Sequence, residues 1–457
     1  MKTKAIILAA GQGKRMRSSL HKLLHPVLGR TVIKCVVDAA LEANIQLEDI
    51  TVVISPGRED IKAELTKFWP NLLFAIQEEP LGTGHAAQAG IGNIQPQDNT
   101  LILCGDMPLV TGAFIKELLA FNANNPSHAV VTALHAPQMK DFGRVYFDDN
   151  GMFNEIVEAR DLKPTNTATD WVNTAIYLFK GEALISGLKS MNNNNSQNEY
   201  YLTDVPKIIK DNGNPVRVFQ TTANSAVFTG INTQQQLSEA VSHMKNRINL
   251  KHMENGVRMI DPSTVYIDSA VEIAQDVTIY PNVILEGCCK IDNAATIGAN
   301  THLVNTHVGK NAHIRQSELD SVSVGDNTTV GPFAYLRPGT VIGNNCRIGN
   351  FVEVKNSNIG NKTAMAHLAY IGDADVGEGV NYSCGAITAN YDGKNKHRTT
   401  IKDGAFIGSN ANLIAPITIG QNAFVAAGST LSKDLPPDTL GIARARQEER
   451  KNWKKPQ

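Results

Sequence analysis

Small aliphatic residues recur every sixth position through the second half of this chain. They stand at Val265, Val271, Val277 and Val283, then at Ile291, Ile297 and Leu303. They return at Val324, Val330, Leu336, Ile342, Ile348 and Val354, at Ile359, Met365 and Ile371, and from Ile407 through Leu413, Ile419 and Val425 to Leu431. Gly often follows, as at Gly298, Gly325, Gly343 and Gly420. Neither a helix of period 3.6 nor a lone strand of period 2 makes this pattern. A period of six predicts a parallel β-helix, with three short strands per coil and one aliphatic per arm stacked inside. From Val265 to Leu431 there is room for about nine coils of 18 residues. The phase breaks at Asn381–Thr400, which predicts a loop ejected from the solenoid, a place for function or assembly.

The first 230 residues read differently. Lys4–Ala10, Ile50–Ser55 and Thr100–Asp106 are short apolar strands, and Val32–Ala43, Glu59–Phe68 and Ala113–Phe121 are helices. This alternation predicts a parallel or mostly parallel, Rossmann-like α/β sheet covered on both faces, with ligands outside the carboxyl ends of the strands. The tract Asn192–Asn195 reads as a surface loop. Thr233 to His252 lacks Gly and Pro and reads as a helix joining the halves. The expected layout is therefore an α/β domain over 1–230, a linker helix over 231–252 and the repeat domain over 253–457.

A net charge of −1 on 457 residues argues against a general nucleic-acid or membrane binder. The six cysteines, Cys35, Cys104, Cys288, Cys289, Cys346 and Cys384, contain no CxxC, which fits reduced thiols and no structural zinc. The apolar run Ala5–Ala10 is too short for a secretion signal and is followed at once by basic residues. A cytoplasmic protein is expected.

Leu8–Met16 (LAAGQGKRM) follows a strand directly. Gly11 and Gly13 let the backbone approach a ligand, and Lys14, Arg15 and Lys22 supply charge for a polyphosphate. It is neither GxGxxG nor a P-loop, and alone it could be a plain tight turn. Asp106 ends the strand LILCGD, where a carboxylate can hold Mg²⁺ beside substrate phosphates or simply cap a helix. Gln77–Ala89 offers a second Gly/Thr loop, for a base and sugar or as an ordinary cap.

Together, LAAGxGxRM, Lys22, LGTGHA and GDMPL resemble the sugar-nucleotidyltransferase (NDP-sugar pyrophosphorylase) family. Joined to the hexapeptide half, nearly the whole chain resembles the bacterial bifunctional N-acetylglucosamine-1-phosphate uridyltransferase and glucosamine-1-phosphate N-acetyltransferase family. The resemblance implies a left-handed β-helix and a first site in which Leu8, Ala9, Ala10, Gly11 and Lys22 contact UTP or the UDP-sugar, with Cys104 and Gly105 beside them. It implies that Gln77, Gly82 and Thr83 read uracil, that Asp106 and Asn232 (in FTGIN) hold Mg²⁺, and that Arg15 faces the triphosphate. Gly143, Glu158 and Asn173 would hold the sugar, although Asn173 could be a turn residue and Glu158 a solvated charge. The chain departs from the family pattern at His21, where Pro is usual, at Lys14 for Thr, at Gly29-Arg30-Thr31 for Gly-Lys-Pro, and at Cys104 for an aromatic. These leave the shape of the loop open.

In the repeats, His367 lies in MAHLAYIGD. Alone it could be a structural histidine on the solenoid wall. Arg337 and Lys355 are one coil apart and should stack on one edge, two cations for one phosphate dianion. An imidazole, with its unperturbed pKa near 6.5, suits removal of a proton from a sugar amine. The resemblance implies that His367 is this base, that Arg337, Lys355, Tyr370 and Asn381 bind glucosamine 1-phosphate, and that Cys384, Asn390, Tyr391, Ser409, Ala427 and Arg444 bind acetyl-CoA. The basic tail Ala443–Gln457 would touch cofactor phosphate or merely solubilise the end. The resemblance also implies a homotrimer with sites between subunits, acting on UTP and N-acetylglucosamine 1-phosphate, and on acetyl-CoA and glucosamine 1-phosphate. Two other readings stay open: a nucleotidyltransferase with a scaffolding β-helix, and a non-catalytic assembly subunit.

Overall fold

The computed structural model describes residues 2–163 and 169–454. The last three residues of the basic tail therefore lie outside the described residues. The chain forms two compact units, 1–244 and 245–457, and the boundary falls inside the long helix Gln234–Glu254.

The first unit is built on one sheet of nine strands. In chain order they are β1 (Thr3–Leu8), β2 (Ile50–Ile54), β3 (Leu73–Ile76), β4 (Asn99–Cys104), β5 (Ala129–His135), β6 (Arg144–Phe147), β7 (Phe153–Val157), β8 (Trp171–Lys180) and β9 (Val216–Thr221). The order across the sheet is β9-β5-β8-β4-β1-β2-β3, with β6 pairing β8 and β7. β8 runs antiparallel to both β4 and β5, so the sheet is mixed rather than wholly parallel. Ala5, Ile6 and Ile7 of β1 and Val52, Val53 and Ile54 of β2 are all buried, the unbroken apolar run expected of strands covered on both faces. The helices named below are α1 (Val32–Glu42), α2 (Glu59–Thr66), α3 (Thr83–Gly90), α4 (Gly112–Asn124), α5 (Gly181–Lys189) and α6 (Val205–Asp211). The carboxyl ends of β1 and β4 are adjacent, because Leu8 pairs with Cys104. The glycine loop and Asp106 leave the sheet side by side at that point.

The second unit is three parallel sheets of eleven, ten and nine strands, the walls of a left-handed β-helix. Each wall strand is only two to four residues long. Nearly every aliphatic of the six-residue repeat is buried, and only Leu431 at the last coil is half exposed. Between Leu303 and Val324 the phase slips because Val308, Ile314 and Leu319 occupy the interior on shorter arms. There the coil repeat contracts from 18 residues, as between Asn282 and Asn300, to 16, as between His302 and Glu318. Corners need a left-handed residue. Asn fills many of them, and Asn282 and Asn300 hydrogen-bond up the stack at 3.1 Å.

The break in phase is narrower than Asn381–Thr400. Asn381–Tyr382 and Ile387–Ala389 are ordinary rungs. Tyr382 defeats the aliphatic pattern because a tyrosine there is buried in the interior. Only residues 390–398 leave the wall, pinched by an antiparallel bridge between Tyr391 and Lys396.

Two candidate active sites

The glycine loop is held from below and from the side. Ala9 N–H donates to the Val53 carbonyl at 2.8 Å, and Gly105 N–H to the Leu8 carbonyl at 2.8 Å. Gly13 has φ of 65°, and a Cβ there would lie 3.0 Å from Cγ of Lys22. The loop therefore packs directly on the Lys22 stem. The ammonium of this buried lysine donates to Oδ2 of Asp106 at 2.5 Å and to Oδ1 of Asn232 at 3.1 Å. Asn232 is steered there by its backbone, since its N–H donates to Gln236 at 2.8 Å, and Ile231 N–H donates to the Asp106 carbonyl at 2.9 Å.

Two cavities meet over these groups, sharing Leu8, Thr83, Cys104 and Asp106. The first, of about 290 Å³, is lined also by Ala9, Ala10, Gly11, Lys22, Gln77 and Gly82. Gln12, Pro80 and Glu199 join that wall without having stood out in the sequence. The second, of about 400 Å³, is lined by Arg15, Gly143, Glu158, Asn173 and Asn232. Gly105 is on neither wall. It packs beneath, where a Cβ would meet Ile33 at 2.8 Å.

Glu158 in the second cavity, and Asp204 next to Thr203 of its wall, are unusual acids. Burial pushes the Glu158 carboxyl up, and Thr203 Oγ1 donates to it at 3.0 Å. Glu158 is thus not a solvated surface charge. Burial, then Glu158 and Asp161, push Asp204 up to about 6. Asn173 sits at an irregularity of β8, not in a free turn. Its amide donates to the Tyr177 hydroxyl at 2.6 Å and accepts from Ala175 N–H at 3.2 Å. Burial, aided by Asp106, raises the Cys104 thiol to about 12, so it is a neutral wall and not a nucleophile.

The carboxylate of Asp106 and the amide oxygen of Asn232 aim at one point, the Lys22 ammonium. Two converging hard oxygens, with the remaining positions left to phosphates and water, suit Mg²⁺. Among the described residues no cluster of three or more His, Cys, Asp or Glu forms a denser metal cage.

In the β-helix the candidate residues gather on two corners. Register pairs Leu336 with Val354 and Lys355 with Gly372, so Arg337, Lys355 and Gly372 stack on successive coils. Arg337 donates to Glu353 at 2.9 Å. Lys396, from the ejected loop, reaches Lys355. This contact, reinforced by Arg337, lowers the proton affinity of the Lys355 amine. Burial alone would raise the neighbouring Asp373 carboxyl, but hydrogen bonds from Asn356 and Asn390 and the two lysine charges hold it below the usual range. Tyr370 faces the same corner, because a Cβ on Gly372 would lie 2.4 Å from its hydroxyl and 2.8 Å from the Asn390 amide. Asn390 donates to Asp373 at 2.5 Å, while Tyr391 is exposed. Lys396 carried no sequence signal, since its phase is lost in the loop. The loop is latched by Arg398, whose Nε and Nη2 grip Asp375 at 2.5 and 2.6 Å.

His367 is exposed on the other corner of that wall, with φ of 64°, before the strand Ala369–Gly372. That strand spans about 10 Å. Above His367 the same corner carries Cys384, then Ser409, then Ala427. Gly385 N–H donates to the His367 carbonyl, Asn410 N–H to Cys384, and Gly428 N–H to Ser409. Arg444 closes the column, donating to the Ala427 carbonyl at 3.1 Å. Asn381, exposed, begins the rung beside it.

A model described as a MobA-like NTP transferase domain matches residues 5–199, and one described as bacterial transferase hexapeptide (six repeats) matches 321–356 and 398–433. "Bifunctional protein GlmU" of Shouchella clausii is 43% identical over 99% of this chain and 98% of its own length. Those of Geobacillus sp. and Clostridioides difficile are 44% and 41% identical, each over 99% of this chain and 98% and 97% of theirs. This chain belongs to the GlmU family. The likeness spans both units, so both candidate sites fall inside it.

Proposed function

We propose that this GlmU-family chain performs two consecutive group transfers, one in each unit, to make UDP-N-acetylglucosamine for cell-wall and lipopolysaccharide precursors. The observation that carries the reading is that each compact unit holds its own full set of chemically matched groups. In the second unit, His367 accepts a proton from the amine of glucosamine 1-phosphate. The nitrogen attacks the thioester carbonyl of acetyl-CoA, the C–S bond breaks, and CoA leaves as the thiol while an amide forms. Arg337, Lys355, Tyr370 and Lys396 hold the sugar phosphate, beside Asn381. Cys384, Ser409, Ala427 and Arg444 line the column for acetyl-CoA, with Asn390 and Tyr391 from the ejected loop.

In the first unit, the phosphate oxygen of N-acetylglucosamine 1-phosphate attacks the α-phosphorus of UTP in line, and pyrophosphate leaves as the bridging P–O bond breaks. Gln77, Gly82 and Thr83 read the base. The glycine loop, Arg15 and Lys22 hold the triphosphate, and Gly143, Glu158 and Asn173 orient the sugar. Asp106 and Asn232 would hold Mg²⁺, which when bound neutralises phosphate charge. No covalent enzyme intermediate is needed, so positioning and electrostatics carry the rate.

We infer a cytoplasmic homotrimer. Among the described residues no helix is long and apolar enough to cross a membrane. Phe333, Phe351 and Leu368 are 55, 54 and 68% exposed, although all three occupy left-handed corners where Asn is the easier choice. They form an apolar ridge next to His367 that a second copy would cover. Such a copy would also bring its cation corner to the His367 corner, which within one chain sits at the far end of the wall. Wild-type protein should release pyrophosphate from UTP with N-acetylglucosamine 1-phosphate and Mg²⁺, and thiol from acetyl-CoA with glucosamine 1-phosphate. Absence of thiol release would reduce the β-helix to a scaffold.

A further inference from the structure

We propose that His21 is a positioning residue for uridylyl transfer, a neutral imidazole that ties the glycine loop to the turn carrying Lys22. The proposal rests on the reading of this loop as the triphosphate site. His21 is 7% exposed. Its Nε2 lies 3.0 Å from the Gly11 carbonyl oxygen, and its Nδ1 accepts a hydrogen bond from Leu23 N–H at 3.4 Å, capping the turn Lys22–Leu24. A carbonyl only accepts and a backbone N–H only donates, so both bonds form together only when Nε2 carries the proton and Nδ1 does not. Burial, and secondarily Arg58, lower the proton affinity of the ring, which favours this neutral form. One ring thus sets the spacing between Gly11, on the cavity wall, and Lys22, whose stem underlies Gly13.

Two variants separate the two bonds. Asn places an acceptor near Nδ1 and keeps the cap, whereas Gln places an N–H near Nε2 and keeps the tether. Steady-state kinetics on the full-length protein should show H21N raising KM for UTP about 3- to 10-fold, the worth of one hydrogen bond, with kcat within twofold. H21Q should restore KM to within twofold of wild type. The retained kcat of H21N shows that its first unit is folded, and acetyl transfer should be unchanged in both. Wild-type KM in H21N, or equal impairment of H21Q and H21A, would overturn the proposal. K22A run alongside tests the underlying site. Unchanged uridylyl transfer in K22A would sink the reading of the loop itself, whereas a loss in K22A with a wild-type H21N would sink only the role of His21.

Discussion

Gly82→Ala should disable uridylyl transfer while sparing acetyl transfer. Gly82 precedes α3 with φ of 110° and ψ of 176°, a region that only glycine occupies readily. The strain for alanine there is about 1–3 kcal/mol. The added Cβ would also lie 2.6 Å from the Tyr200 carbonyl oxygen and 2.9 Å from its nitrogen, backbone atoms that cannot swing aside. Relief requires the loop to leave Tyr200. That move breaks the bonds from Gly84 N–H to the Tyr200 carbonyl and from Tyr200 N–H to Leu81, both 2.8 Å. It also removes the Gly82 carbonyl from Gln77 Nε2, now 3.0 Å away. With about 1 kcal/mol net for each of these three bonds added to the strain, the sum is about 4–6 kcal/mol. If even 1.4 kcal/mol reaches the bound state, kcat/KM for UTP falls tenfold. Gly92→Ala is the control, because its Cβ would meet nothing within 4 Å and its φ is not left-handed. Both variants would be assayed for pyrophosphate release, thiol release and thermal unfolding. A G82A protein within twofold of wild type in kcat/KM for UTP, unfolding at the same temperature, would refute the argument.

Asp204→Asn should stabilise the first unit in a pH-dependent way. The carboxyl of Asp204 is raised to about 6, so the folded state binds its proton more tightly than the unfolded state, and stability falls as pH rises from about 4 to 6. Thermal melts should show no gain for D204N at pH 4 and a gain of at most about 3 kcal/mol at pH 7; a gain independent of pH would contradict the assignment. Arg398→Lys should lower kcat/KM for acetyl transfer about tenfold, because lysine cannot reproduce the two-pronged grip on Asp375 that anchors Lys396 and Asn390. Uridylyl transfer, measured on the same sample, should be unaffected.

The β-helix was legible because one aliphatic per arm is enough to build its interior, and a period of six survives any variation on the exposed positions. Val308, Ile314 and Leu319 escaped notice because shortening an arm keeps the stack but destroys the phase. Asp106 announced itself as an acid ending an apolar strand, since strand ends in such sheets are where ligands gather. The mixed direction of β8 was not visible, because an apolar strand reads alike either way. Thr203 and Lys396 could not be read either. Each meets its partner, Glu158 or Lys355, across 45 or 41 residues through contacts with no local spacing rule. The two-corner arrangement needed the register of every coil, including the displacement of 25 residues across the ejected loop. The departure at His21 was visible as a letter, but its meaning depended on where Gly11 and Leu23 point their polar groups.

Replacing His367 with alanine and measuring both transfers on one preparation tests the division of labour most directly. Acetyl transfer to glucosamine 1-phosphate should fall by about 10²–10⁴-fold, the usual contribution of a general base, while pyrophosphate release from UTP stays at the wild-type rate. Acetyl transfer that survives the substitution, or an equal loss of both activities in a folded protein, would contradict the account.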